Sequence, residues 1–357
     1  VALGLRADRA EASFTPRPLF PALADPSGAA LERIGAVEVE SPAGTIAARL
    51  VDGAWVLPDR SNYPADPAPL IAAVNAVASL TLVEPKTANP ERFDLLELDA
   101  PGAGGQATLV LLVDRDGAEM AAVLFGKRGL QRSVGGQEAV YVRAPEAEQT
   151  YLAYAGTLPV ADPAAWLATG FFDIARADVS RVTLTDAGGA SYTIIPSPEP
   201  GGAPYTLEGL GPDEAVTSPY QLNGIVGALA DLPVETVARA DAIAFDAPRR
   251  AVFETATGLE LRLELAPLPP QAEDGAEAGE PPAAWLRVSA ATLPEADEGA
   301  AALAERINQR AEGWAFRIPG YRAEPLTRPR ADVVEPAAPP EPAEPAPDAP
   351  ADEPPSP

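Results

Sequence analysis

A stretch of alternating apolar residues followed by a glycine turn occurs twice in this chain. That recurrence constrains the fold more than any other feature. Ile34, Val37, Val39 and Gly44 return, at one constant separation, as Val179, Val182, Leu184 and Gly189. Alternation that ends in glycine reads as a strand entering a hairpin. A second strand follows in each copy, Thr45 to Val51 and Ser191 to Ile195. A third, short strand carries Trp55 in one copy and Tyr205 in the other. Both copies then turn helical. Asp66-Pro67 and Ser218-Pro219 each offer an N-cap acceptor before a proline, whose missing N–H is harmless at the first helical position. Leu70, Val74, Val77 and Leu80 match Leu222, Val226, Leu229 and Leu232, spaced to share one helical face.

Further strands follow the first helix. Leu109 to Val113 and Met120 to Phe125 flank the turn Asp114-Arg-Asp-Gly117, and Val140-Tyr-Val-Arg143 resembles Trp314-Ala-Phe-Arg317 in the second copy. The lead-ins Leu19-Phe20 and Phe171-Phe172 also match, and Asp162-Pro163 with Trp166 predicts a short helix between the copies. The predicted class is α+β: two tandem repeats, each a mostly antiparallel β-β-β-α-β-β-β sheet with a packed amphipathic helix. Residues 15–158 form the first repeat and 159–330 the second, a division consistent with single cores ceasing to grow at roughly 250–300 residues. The second copy carries an acidic Pro/Gly-rich insertion near Pro267 to Pro282, read as a solvated loop. From Asp332 to Pro357 no basic residue occurs, so 331–357 reads as a disordered, acidic, proline-rich tail.

Composition narrows the function by exclusion. Lys+Arg 26 against Asp+Glu 52 gives a net charge of −26, a field that repels phosphate backbones and disfavours nucleic-acid binding. With no cysteine there is no thiol nucleophile or disulfide, and with no histidine no His-based triad and no ordinary catalytic zinc site. Nothing in the residues calls for a cofactor or a metal. Lys86 and Lys127 are the only lysines. Lys86 stands near Glu91 and Arg92, so the expectation is a salt bridge at the helix–strand junction. Gly104-Gly-Gln106 and Gly135-Gly-Gln137 spell the tripeptide of translation release factors, but in so acidic a chain they read as loop glycines. Asp114 to Gly117 lacks the later ligands of a calcium loop and reads as a turn. Glu38 and Glu40 alternate with Val37 and Val39, a solvent face rather than a glycosidase pair. Trp55, Trp166, Trp285 and Trp314 read as plugs of cores and junctions.

Lys86-Thr87, then Asn89-Pro-Glu-Arg-Phe93, resembles the Lys-Thr-x-x-Pro-Glu-Arg-aromatic signature of the domain of unknown function 4340 family. Gly126-Lys127-Arg128, Tyr141 and Arg143, Trp166-Leu167 before Phe171-Phe-Asp-Ile174, and Trp314 to Arg317 with Tyr321 extend the resemblance over roughly residues 15–330. The signature positions Lys86, Thr87, Pro90, Glu91, Arg92, Phe93, Lys127, Arg128, Tyr141, Arg143, Trp166, Trp314, Arg317 and Tyr321 are expected to be structural. No catalytic, cofactor or metal residue carries over. The resemblance implies a bacterial envelope protein on the periplasmic side of the inner membrane, held by one N-terminal helix and associated with ABC transporter components of the gliding-motility auxiliary type. Residues 1–14, with the apolar stub Val1 to Leu5, are accordingly expected to be the remnant of an anchor or linker. The leading expectation is a non-enzymatic, membrane-tethered protein with a binding or scaffolding surface for transporter subunits. The alternatives are a soluble periplasmic module for a cationic peptide or glycan, and a carboxylate-based hydrolase.

Overall fold

In the computed structural model, which describes residues 14–130, 136–198, 201–267 and 281–337, the alternating segments pair as antiparallel ladders. The first sheet contains β1 (Arg17–Pro18), β2 (Ile34–Ser41), β3 (Gly44–Val51), β4 (Ala54–Leu57), β5 (Tyr63–Pro64), β6 (Thr81–Pro85), β7 (Thr108–Asp114), β8 (Glu119–Arg128), β9 (Glu138–Arg143) and β10 (Tyr151–Ala155). Its spatial order is β1-β6-β10-β9-β8-β7-β2-β3-β4-β5. The second sheet contains β11 (Val179–Thr185), β12 (Ser191–Pro196), β13 (Tyr205–Leu207), β15 (Thr236–Arg239), β16 (Arg249–Thr255), β17 (Leu259–Pro267), β18 (Ala284–Thr292) and β19 (Trp314–Ile318), with β14 (Glu214–Val216) apart from it. The order here is β13-β12-β11-β16-β17-β18-β19-β15. The architecture is therefore mostly antiparallel β-sheet with a few helices. Five strands, rather than the expected three, follow the first helix, because the helix returns through β6 and the segment after Arg143 pairs again as β10.

Period-2 burial explains each ladder. Val37 and Val39 of β2 and Val110 and Leu112 of β7 are fully buried on one face, while the residues between them are only partly so. The β7–β8 turn is built by Asp114, whose Oδ1 accepts from the N–H groups of Asp116 (3.0 Å) and Ala118 (2.9 Å), with Gly117 at φ 87°. Its other oxygen accepts from Arg33 at 2.9 Å. Helix α1 (Pro67–Ala78) starts as predicted, Asp66 accepting from the Ala68 N–H, and buries Leu70, Ala73, Ala76 and Val77. Helix α2 (Pro219–Val226) buries Leu222, Ile225 and Val226, but the Ser218 side chain makes no cap hydrogen bond, contrary to expectation. Helix α3 (Glu298–Ala311), which the apolar pattern did not suggest, packs on β17 and β18 through Ala300, Ala304, Ile307 and Ala311. Among the described residues no helix is long and apolar enough to cross a membrane.

A seam of aromatic rings joins the two sheets. Tyr63 of β5 lies edge-on to Trp314 of β19 (4.8 Å between ring centroids) and to Phe316 (6.2 Å). Phe171 and Phe172 close on Phe316 from the connecting segment, at 5.8 and 5.4 Å. Tyr63 donates its O–H to the Ala168 carbonyl at 2.9 Å, and burial pushes its phenol far above the ordinary range. The short predicted helix is present as a 3₁₀ turn, Pro163–Trp166, with Asp162 capping it. Trp166 is fully buried and donates to the Val160 carbonyl at 3.1 Å, while the Asp66 N–H donates to the Trp166 carbonyl. One contiguous apolar core results, running through both sheets.

After β19 come α4 (Gly320–Leu326), α5 (Arg330–Val333) and β20 (Val334–Pro336). β20 pairs with β14, so the start of the expected tail is ordered here. Residues 338–357, most of the insertion after Pro267, Gly135, and residues 1–13 lie outside the described residues.

Two measurements follow. Trp166→Ala is expected to lower the free energy of urea unfolding by about 3–5 kcal/mol, the usual loss for emptying a tryptophan site. The carboxyl of Asp114 is held below the ordinary range by the Ala118 N–H, then by Asp116 and Arg33. Its stabilising contribution is present above the ordinary carboxylate pKa and is lost as pH falls through the lowered folded value. The Tm gap between wild type and Asp114→Asn should be widest near neutral pH and close in acid.

Candidate functional site

The signature segment begins where β6 ends. The Lys86 N–H donates to the Thr150 carbonyl at 2.8 Å. Thr87 and Thr150 then lock together: the Thr87 N–H donates to Thr150 Oγ1 (3.0 Å), and that hydroxyl donates to the Thr87 carbonyl (2.8 Å). Thr87 Oγ1 accepts from Asn89, and Asn89 Oδ1 accepts from the Glu91 N–H at 3.1 Å. This caps the turn Pro90–Arg92, which delivers Phe93 into a small core with Leu98, Ala107 and Leu124. Arg143, at the end of β9, stacks its guanidinium 4.4 Å from the centre of the Phe93 ring. It donates to the carbonyls of Leu98 (3.1 Å), Pro145 (2.6 Å) and Ala147 (3.1 Å). Burial lowers its pKa, but a guanidinium stays charged. The network pins two loops at the ends of β6, β9 and β10, and its polar groups meet backbone except the buried Arg143 Nε, which has no hydrogen-bond partner among the described residues.

Lys86 Nζ pairs with Glu84 Oε1 at 2.7 Å, not with Glu91; the strand places Glu84 beside it, whereas Glu91 and Arg92 face solvent in the turn. Lys127 Nζ lies 6.0 Å from the Tyr141 ring centre, and Arg128 pairs with Glu138 at 2.9 Å. Gly104 of the first Gly-Gly-Gln sits at φ 82°, a turn position that suits glycine. Among the described residues no group of three or more carboxylates is placed to hold a metal.

A groove of about 600 Å³ opens between the two sheets. One wall carries Gly44 and Arg60, the other Pro233, Glu235 and Tyr321, and Asp162 lies between them. Tyr321 is 64% exposed. The groove's acids are held by the fold: Asp162 Oδ1 accepts from Ala164 at 2.9 Å, and Glu235 pairs with Arg317 Nε at 3.1 Å. Arg60 leads into Ser61 and Asn62, both left-handed at φ 57° and 61°. The Ser61 carbonyl accepts from Arg239, whose guanidinium lies 4.0 Å from the Trp314 ring centre. Of the signature residues, Tyr321 lines the groove and Arg317 supports it through Glu235, while Trp166 and Trp314 build the seam beneath. The Lys86 to Arg143 network is not part of its lining. Arg60, Pro233 and Glu235 carry no sequence signal of their own, since only the meeting of two sheet edges brings them together.

Arg143→Lys is expected to cost about 2 kcal/mol in denaturant unfolding, because an ammonium cannot serve three carbonyls in the fixed fork of a guanidinium. A loss within about 0.5 kcal/mol, the usual range for an inconsequential surface change, would contradict the network's role.

No curated protein and no solved structure is detectably similar to the chain. The sequence model described as "Domain of unknown function (DUF4340)" matches residues 55–248, from β4 to the approach to β16, a narrower span than the resemblance read over residues 15–330. That match covers more than half of the chain, which therefore belongs to the domain of unknown function 4340 family.

Proposed function

We propose that this chain is a non-enzymatic, membrane-tethered envelope protein whose two like halves offer a joint binding surface to subunits of an ABC transporter. The observation that carries the reading is the inter-sheet groove, whose walls come from both halves and whose exposed ring, Tyr321, is free to meet a partner. Tyrosine and arginine, here with Arg60, are the residue types most used as interface anchors.

Duplication is part of the proposal, and the strand orders support it. Reading β2, β3 and β4 as β11, β12 and β13, and β6 to β10 as β15 to β19, gives the same spatial sequence in both sheets. On this correspondence Val140 to Arg143 belongs with β18, and Trp314 to Arg317 with β10, so the likeness read from residue types joins neighbouring strands. The envelope location, the anchor and the transporter rest on the family resemblance.

A second reading uses the same groove. Tyr321 with Asp162 and Glu235 would suit a cationic peptide or a glycan, and saturable binding of an oligo-arginine peptide or a chito-oligosaccharide by this chain alone would favour it. The leading reading is tested by affinity capture of the full-length, membrane-anchored protein from solubilised envelopes. Transporter subunits are expected with wild type, and about tenfold less with the Tyr321→Ala, Arg60→Glu double variant, as for loss of a central anchor. Capture of no transporter subunit by the wild type would remove it.

A further inference from the structure

The segment Leu326–Ala331, from the last residue of α4 through the link into the first turn of α5, crosses the β11–β12 hairpin as a strap. Two side chains from the sheet hold its backbone. Tyr192 donates its O–H to the Arg328 carbonyl and Arg249 donates Nη1–H to the Thr327 carbonyl, both at 3.0 Å. Arg330 grips Glu214 with two hydrogen bonds (2.6 and 3.0 Å), and the β14–β20 pair anchors the far end. Beneath the strap lies a cavity of about 250 Å³, smaller than the usual drug-sized pocket. Buried Leu184, Leu326 and the Tyr192 ring give it apolar walls.

The charges around it are unequally matched. Arg328 is paired with Glu324, and Arg330 with Glu214. Asp186, on the rim, accepts from the N–H groups of Gly188 and Ala190 within its own turn. Arg249 is half-buried, lines the cavity and makes no ion pair among the described residues, although the chain has twice as many acids as bases. A guanidinium has five N–H donors, and Thr327 takes one of them. The remaining donors of this half-buried guanidinium are open to charge-assisted hydrogen bonds with an anion beside it.

We propose that this cavity binds a small organic monoanion, a carboxylate on an apolar body, with Arg249 as its counter-charge. The walls favour an apolar body and the volume limits it to about the size of a single ring. The Asp186 carboxylate disfavours a second negative charge, which sets a monocarboxylate above phosphate. The site is separate from the inter-sheet groove and does not depend on the transporter reading.

The test is a titration of the whole chain, isotopically labelled, followed through its backbone amide resonances. Sodium benzoate at millimolar concentration is expected to shift the Thr185, Ser191, Tyr192 and Thr327 amides saturably. Benzamide, with the same ring and no charge, should not, and inorganic phosphate should bind more weakly than benzoate. Arg249→Met should weaken benzoate binding about tenfold or more, the loss of one charge-assisted pair, with Arg249→Lys between the two. The proposal fails if benzoate gives no saturable shift at these amides, if benzamide equals it, if phosphate exceeds it, or if a folded Arg249→Met binds as wild type does. Should Arg249→Met not fold, the comparison of benzoate with benzamide on the wild type decides.

Discussion

The contact on which the rest of the molecule depends is the edge-on packing of Tyr63 against Trp314 and Phe316. Tyr63 lies on the last strand of the first sheet, and the two rings it meets lie on β19, next to the edge of the second. Edge-to-face aromatic contacts of this kind add about 0.5–1.5 kcal/mol each beyond the area they bury. Their consequence here is geometric. They bring two sheet edges together, so Arg60 on one side and Glu235 and Tyr321 on the other become walls of one groove. The Arg239 guanidinium over Trp314, reaching the Ser61 carbonyl, ties the rim to the seam.

The connecting segment converts that contact into a continuous core. Phe171 and Phe172 pack against Phe316, and Trp166 joins the same core from a turn that lies against α1 and β3. Every polar atom of this region with a hydrogen bond described above meets backbone: the Tyr63 hydroxyl, the Trp166 indole and the Asp162 carboxylate. The signature network follows the same pattern in part: Thr87, Thr150 and the Nη groups of Arg143 are occupied by main-chain partners. Buried polar groups that are satisfied in this way specify one arrangement of loops. This fits a protein that presents a shaped surface.

The elements legible in the sequence were the local ones. Alternation gave β2, β3, β7 and β8, Asp66-Pro67 marked the start of α1, and Asp162-Pro163 marked the turn that carries Trp166. Helix α3 escaped because three of its four buried positions are alanine, which contrasts weakly with a charged outer face. The pairing of β14 with β20 escaped because it joins strands far apart in the chain, and nothing in Val334-Glu-Pro336 distinguishes it from the proline-rich run that follows. Residue type drew attention to Lys86 and Arg143, but their partners, Glu84 and the carbonyls of Leu98, Pro145 and Ala147, were set by the folded path of the chain. The groove was the least legible part, since its walls meet only after both sheets have formed.

The central claim is that the aromatic seam makes the two sheets one body, so that a surface shared between them exists. Equilibrium unfolding in urea, followed in parallel by far-ultraviolet circular dichroism and tryptophan fluorescence, tests it most directly. Coincident transitions that move together when Phe316 is replaced by alanine are the result this account predicts. Two separate transitions in the wild type, or a Phe316→Ala variant that weakens the second sheet and leaves the first unchanged, would contradict it.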